Sequence, residues 1–139
     1  MTEDEALEEI RQQKIEELRD QTGDADGEST AESAPAEPVP VNGAAELNDV
    51  VGNHDVVLAD FYADWCGPCQ MLEPVVESIA AETAATVVKV DVDANQRLAS
   101  EYGVRGVPTL VLFADGEPAE RLVGMQDEAQ LRTTVENYA

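Results

Sequence analysis

Between residues 56 and 123 the chain alternates short β-branched apolar runs with stretches of helical spacing, and this alternation narrows the possible folds more than any other feature. Val56–Tyr62 reads Val-Val-Leu-Ala-Asp-Phe-Tyr. A run so continuously apolar suits a strand covered on both faces. Cys66–Glu82 follows with helical spacing and contains Pro74, where a kink is expected. Thr86–Val92 is another strand run, Asn95–Tyr102 a short helix closed by Gly103, and Thr109–Ala114 a further strand. Asp115-Gly116 is a hairpin signal, so Ala119–Val123 is expected to return antiparallel. Asp127 is placed to cap a last helix through Tyr138. Upstream, Val39–Val41 reads as a short strand, confined to an edge by Pro40, and Ala44–Val51 as a short helix. Strand and helix in alternation, then a hairpin and a helix, specify an α/β domain with a central mixed sheet and helices on both faces.

The composition changes near residue 40. Residues 1–41 carry 13 acids, 3 bases and no aromatic residue, whereas residues 42–139 hold 17 acids, 5 bases and all six aromatics. An amphipathic helix is expected over residues 1–20. Thr2 and Glu5 make a capping-box pattern, and Arg19 near the end complements the helix dipole. Leu7, Ile10, Ile15 and Leu18 fall within one arc of about 140°. An isolated helix of this length is marginal in water, so it either packs on something or frays. Residues 21–38, with Gly23, Gly27, Pro35, Pro38 and repeated acids, are too polar to bury a face, and a disordered linker is expected there. Residues 39–139 then form the folded domain, and their apolar content is sufficient for a core.

Across the chain 30 acids face 8 bases, a net charge of −22, and lysine occurs only at Lys14 and Lys89. Nucleic-acid binding needs a basic footprint and is excluded on this balance. So many like charges repel one another in dilute buffer. Near 1 M salt the Debye length falls to about 3 Å and the repulsion fades. The balance is similar to that of cytosolic proteins of salt-loving archaea; the plainer alternative is an ordinary acidic protein. The opening residues are acidic with no apolar run behind them, so neither a secretory signal nor an Arg-rich transit peptide is expected. No run approaches the roughly 18–20 apolar residues of a membrane span. A cytoplasmic place of work is the resulting expectation.

Both cysteines sit in Trp65-Cys66-Gly67-Pro68-Cys69, where a strand run gives way to a helix. In an α/β setting this spacing reads as a redox motif. Cys66 falls at a helix N-terminus, where unpaired amides and the dipole favour the thiolate, the attacking form of the thiol. Cys69 lies about one turn further on, within reach of a disulfide with Cys66. Pro68 suits an early helical position, where no N–H is missed. A zinc site is the first competing reading, but zinc wants four Cys or His ligands and the chain has two cysteines and His54. A structural disulfide is the second, but so small a loop removes little chain entropy, and cytosolic thiols are kept reduced.

The segment Ala59-Asp60-Phe61-Tyr62-Ala63-Asp64-Trp65-Cys66-Gly67-Pro68-Cys69 resembles the active-site segment of the thioredoxin family. The resemblance continues through Pro74, Lys89-Val90-Asp91-Val92-Asp93, Tyr102-Gly103-Val104-Arg105-Gly106-Val107-Pro108-Thr109 and the terminal hairpin, and it covers roughly residues 39–139. It implies a thioredoxin fold and a protein-disulfide reductase. Cys66 would be the nucleophile that attacks a client disulfide, and Cys69 would resolve the mixed disulfide. Asp60 comes at the end of a strongly apolar run, so its carboxylate is expected to be buried, raised in pKa and able to exchange a proton with Cys69. Lys89 in the next strand would moderate Asp60. A solvent-facing Asp60 and a solvated Lys89 are the alternatives.

Pro108 resembles the family's cis-proline, which would set the Val107 backbone beside the cysteines to pair with an extended client segment. Trp65, Gly67, Pro68, Val107, Pro108, Val123, Gly124 and Met125 would form an apolar docking surface, with plain core packing the competing account, above all for Val107 and Val123. Gln70 stands where the family often has a basic residue, and Tyr62 where it often has Trp. Gly67-Pro68 between the cysteines resembles the reductants of this fold. The resemblance implies no cofactor beyond the dithiol and no metal. It implies a thioredoxin reductase and disulfide-containing clients as partners, and a monomer. A second reading makes the domain a binding module tethered to one partner by the N-terminal helix.

Overall fold

The computed structural model describes residues 34–139. The helix expected over residues 1–20, and residues 21–33 of the expected linker, lie outside the described residues. The elements are β1 (Val39–Pro40), α1 (Gly43–Asn53), β2 (Val56–Tyr62), α2 (Gly67–Glu82), β3 (Thr86–Asp91), α3 (Gln96–Glu101), β4 (Thr109–Ala114), β5 (Glu117–Val123) and α4 (Glu128–Glu136).

The five strands form one mixed sheet in the order β1-β3-β2-β4-β5. β3 runs parallel to both β1 and β2, while β4 is antiparallel to β2 and β5. Successive side chains of a strand point to opposite faces, and helices cover both. On one face Val57, Ala59, Phe61, Val88, Val90, Val111 and Phe113 meet Leu47 and Val51 of α1 and Leu98 and Ala99 of α3. On the other, Val56, Leu58, Val87, Leu110 and Leu112 meet Leu72, Val76 and Ile79 of α2 and Leu131 and Val135 of α4. Each of these large side chains taken fully out of water contributes about 1.5–3 kcal/mol. The central position of β2 explains its unbroken apolar run. It also carries Asp60 onto the face covered by α2, with Lys89 and Leu110 as its register partners.

Several boundaries differ from the expectation, each for a local reason. α2 begins at Gly67 because Cys66 is its N-cap, with extended backbone, and Pro68 occupies the first turn. α1 runs two residues beyond Val51, to Asn53. β3 stops at Asp91, whose carboxylate accepts the amides of Asp93 and Ala94 and turns the chain away. α3 is one residue shorter at each end than expected, because Asn95 and Tyr102 are its caps. Asn95 is buried and accepts the Gly43 amide (2.8 Å) while donating to the Asp91 carbonyl (3.0 Å), so it ties α3 to the start of α1. β5 begins at Glu117 rather than Ala119. As an edge strand it tolerates Pro118, and the pairing shifts register between Leu112 and Phe113. The hairpin turn has Asp115 and Gly116 at φ 53° and 88°, the paired positive values that a tight two-residue hairpin needs. α4 ends at Glu136, and Asp127 caps its start by accepting the Gln130 amide at 3.1 Å.

Candidate active site

β2 delivers the chain through Ala63 to Cys66, and α2 starts there. Cys66 and Cys69 form a disulfide with their Cα atoms 5.2 Å apart, within the ordinary span of such a bond. The Cys69 amide donates to Cys66 Sγ at 3.2 Å. An N–H aimed at that sulfur, at the positive end of a helix, stabilises negative charge on it when the bond is open. Both cysteines are nearly buried and pack with Ala63, against partly buried Tyr62, Val92 and Val107. Gln70 donates to the Asp64 carbonyl at 3.1 Å, so the position next to Cys69 contributes a loop contact and no charge.

The carboxylate of Asp60 lies beneath this helix, 0% exposed, and neither of its oxygens accepts a hydrogen bond. That closes the solvent-facing alternative. Burial raises its pKa from 3.8 to about 6; Lys89 pulls it down and Glu73 pushes it up. The Lys89 side chain is only 14% exposed, and its Nζ is 3.8 Å from Asp60 Oδ2 and 3.2 Å from Glu73 Oε1. It also rests 4.2 Å above the centre of the Tyr62 ring, a favourable place for an ammonium. Burial, and then the neighbouring carboxylates with Asp91 first, raise the Tyr62 pKa, so the ring stays neutral. A groove of about 340 Å³ is lined by Tyr62, Cys69, Glu73 and Lys89 among others, so solvent reaches the Cys69 side of the dithiol and Lys89 together.

On the opposite side, the Val107–Pro108 bond is cis, and the Val107 carbonyl oxygen lies 3.7 Å from Cys66 Sγ. The Gly124 amide donates to the Pro108 carbonyl at 2.9 Å, which joins the end of β5 to this loop. Trp65 is 72% exposed and Val123 68%, with Met125, Gly67 and Pro68 also open to solvent. Core packing therefore does not account for Val123. Val107 is half-buried against the cysteines, and Pro108 is buried. The Trp65 indole donates to Asp93 Oδ2 at 2.8 Å, which holds the ring while its face stays open. Two residues beside the site, Glu73 and Asp93, were not singled out from the sequence. Their partners lie 16 and 28 residues away, and no periodicity signals such pairs. Among the described residues no group of three or more His, Cys, Asp or Glu is placed to hold a metal ion.

A dithiol one helical turn apart, with an amide on one sulfur, a buried acid below and a peptide carbonyl alongside, is the site of a thiol–disulfide oxidoreductase. Residues 38–137 match the thioredoxin family model, and the chain belongs to the thioredoxin family. A thioredoxin of Chlamydia muridarum is 52% identical over 77 residues, 55% of this chain and 76% of that one. A thioredoxin of Mycobacterium tuberculosis is 46% identical over 95 residues, 67% and 82% of the two chains. A bifunctional thioredoxin reductase/thioredoxin of Mycobacterium leprae is 39% identical over 128 residues, 85% of this chain but 28% of that longer protein. Among solved structures, a mutant thioredoxin from Halobacterium salinarum superposes with a TM-score of 0.75 at 66% identity, covering 76% of this chain and 94% of that one.

Proposed function

We propose that the chain is a protein-disulfide reductase that passes two electrons from its dithiol to disulfides of client proteins. The observation that carries the chemistry is the Cys69 amide on Cys66 Sγ at the N-terminus of α2, which makes Cys66 the attacking thiolate. The donating direction is supported by Gly67-Pro68, the pair that resembles the reductants of this fold. Cys66 is the nucleophile. Its thiolate attacks one sulfur of the client disulfide, forming a mixed disulfide and expelling the first client thiolate. Cys69 then loses its proton and attacks Cys66 Sγ. The second client thiolate leaves, and the Cys66–Cys69 bond closes. Asp60 accepts the Cys69 proton through water, its proton affinity being raised close to neutrality by burial. Lys89 moderates that affinity. The client segment lies extended along Val107 and Pro108 and is held by backbone pairing with Val107, with Trp65, Gly67, Pro68, Val123, Gly124 and Met125 as the surrounding surface.

A thioredoxin reductase returns the electrons; the fused reductase and thioredoxin of Mycobacterium leprae supports such a partnership. The sulfurs need no further cofactor. The protein works as a monomer in the cytoplasm, and the charge of −22 and the likeness to the Halobacterium salinarum thioredoxin support a saline setting. The test is turnover of insulin disulfides with dithiothreitol as donor in multimolar KCl. The wild-type chain reduces insulin and Cys66→Ser does not; a Ser variant as fast as wild type would overturn the reading.

A further inference from the structure

Lys89 is shared by two carboxylates, and the partner it favours is the outer one. Its ammonium stands at hydrogen-bonding distance from Glu73, 3.2 Å, and beyond it from Asp60, 3.8 Å. The buried acid has more to gain from the contact, because charges attract more strongly away from water. Both its oxygens nevertheless lack a hydrogen bond. Glu73 follows Cys69 by four residues on α2, so the two side chains lie on one helix face and border the same groove. Half of the Glu73 side chain is exposed, which sets it at the groove's solvent edge.

We infer that Glu73 is a positioning residue that holds the Lys89 ammonium toward the groove mouth and thereby sets the proton affinity of Asp60. The inference rests on the proton role given to Asp60 above and extends it to a residue that never touches the sulfurs. Three groups fix the ammonium: Glu73 at the mouth, the Tyr62 ring 4.2 Å beneath it, and Asp60 inside. Removing the charge of Glu73 takes away the outer pull, and the flexible lysine moves inward to Asp60. The same change removes a negative charge from the neighbourhood of Asp60. Both effects favour the ionised acid, in keeping with the opposite influences of Lys89 and Glu73 on Asp60. No other element opposes this. β3 brings Lys89, α2 brings Glu73 and the Cys69 sulfur, and β2 brings Tyr62. β4 sets Leu110 beside Asp60, and α4 contributes Leu131 and Val135 to that face, its Arg132 being held by Glu82 and Glu128. Asp64, after β2, adds an acid at the groove lining. Outside Lys89, Glu37, Pro38 and Glu77 share a cavity of about 540 Å³ with Glu73, adding two more acids on the solvent side.

The test is a titration of the Asp60 carboxyl by carbon-13 NMR in the full chain at fixed salt, for wild type, Glu73→Gln and Glu73→Asp. The midpoint of Asp60 falls by about half a pH unit or more in Glu73→Gln. Glu73→Asp keeps the charge, shortens the arm and restores most of the wild-type midpoint. The acid limb of insulin reduction moves down with the Gln variant. In an Asp60→Asn background, Glu73→Gln moves nothing further. An Asp60 midpoint that is unmoved or raised in Glu73→Gln overturns the inference. If the midpoint falls while the acid limb stays, Glu73 keeps its hold on Asp60, and the proton role of Asp60 is what fails.

Discussion

Replacing Asp60 by Asn should make the oxidised protein more stable above neutral pH. The acid sits fully buried with no hydrogen bond to either oxygen. Its pKa is raised from 3.8 to about 6 by that burial, only partly offset by Lys89. For a carboxyl raised on folding, the folded state holds the proton more tightly than the unfolded chain. Stability is therefore undiminished below pH 3.8, falls as pH rises toward about 6, and stays reduced above it. A displacement of about two units at about 1.4 kcal/mol each amounts to about 3 kcal/mol of destabilisation at pH 7.5. The Asn amide keeps the shape but is itself buried without a partner, which returns about 1 kcal/mol. The net gain at pH 7.5 is about 2 kcal/mol, and at pH 3.5 it vanishes or reverses sign. Urea unfolding of oxidised wild type and Asp60→Asn at both pH values, in the same salt, measures it. A variant no more stable than wild type at pH 7.5, or one equally stabilised at pH 3.5, would refute the reasoning.

Cys69→Ser should halt the reaction halfway, so that the client remains on Cys66 as a mixed disulfide seen by intact-mass spectrometry and released by excess dithiol. Phe61 is completely buried between α1 and α3 on one face of β2. Phe61→Ala should cost about 3–5 kcal/mol in denaturant unfolding. Asp127→Ala removes the cap on the Gln130 amide and should cost about 1 kcal/mol by the same measurement. With a charge of −22, the melting temperature should climb from dilute buffer to multimolar KCl; a flat response would count against adaptation to salt.

The sheet was legible because its central strands are apolar on both sides. Val56–Tyr62 and Thr109–Ala114 agree to the residue with the runs read from the sequence. β5 was the least legible strand. It is an edge with solvent along most of its length, so Glu117 and Pro118 give no apolar alternation to read. Asp91 ended β3 early through bonds to its own backbone neighbourhood, a choice that composition does not advertise. At the site, the dithiol announced itself by local spacing, and Asp60 by being an acid in an apolar run. Glu73 and Asp93 were silent. Each looks like one acid among 30, and only the packing of α2 on β3, or of the Trp65 loop on the turn after β3, gives it a partner.

The 5.2 Å separation of the two Cα atoms belongs to a single turn at the start of α2. A bond that opens and closes inside one turn asks nothing of the sheet or of the other helices. Loading and unloading electrons is then a local event at the start of α2. On the proposed docking, the donor and every recipient share one berth beside Val107 and so compete for it.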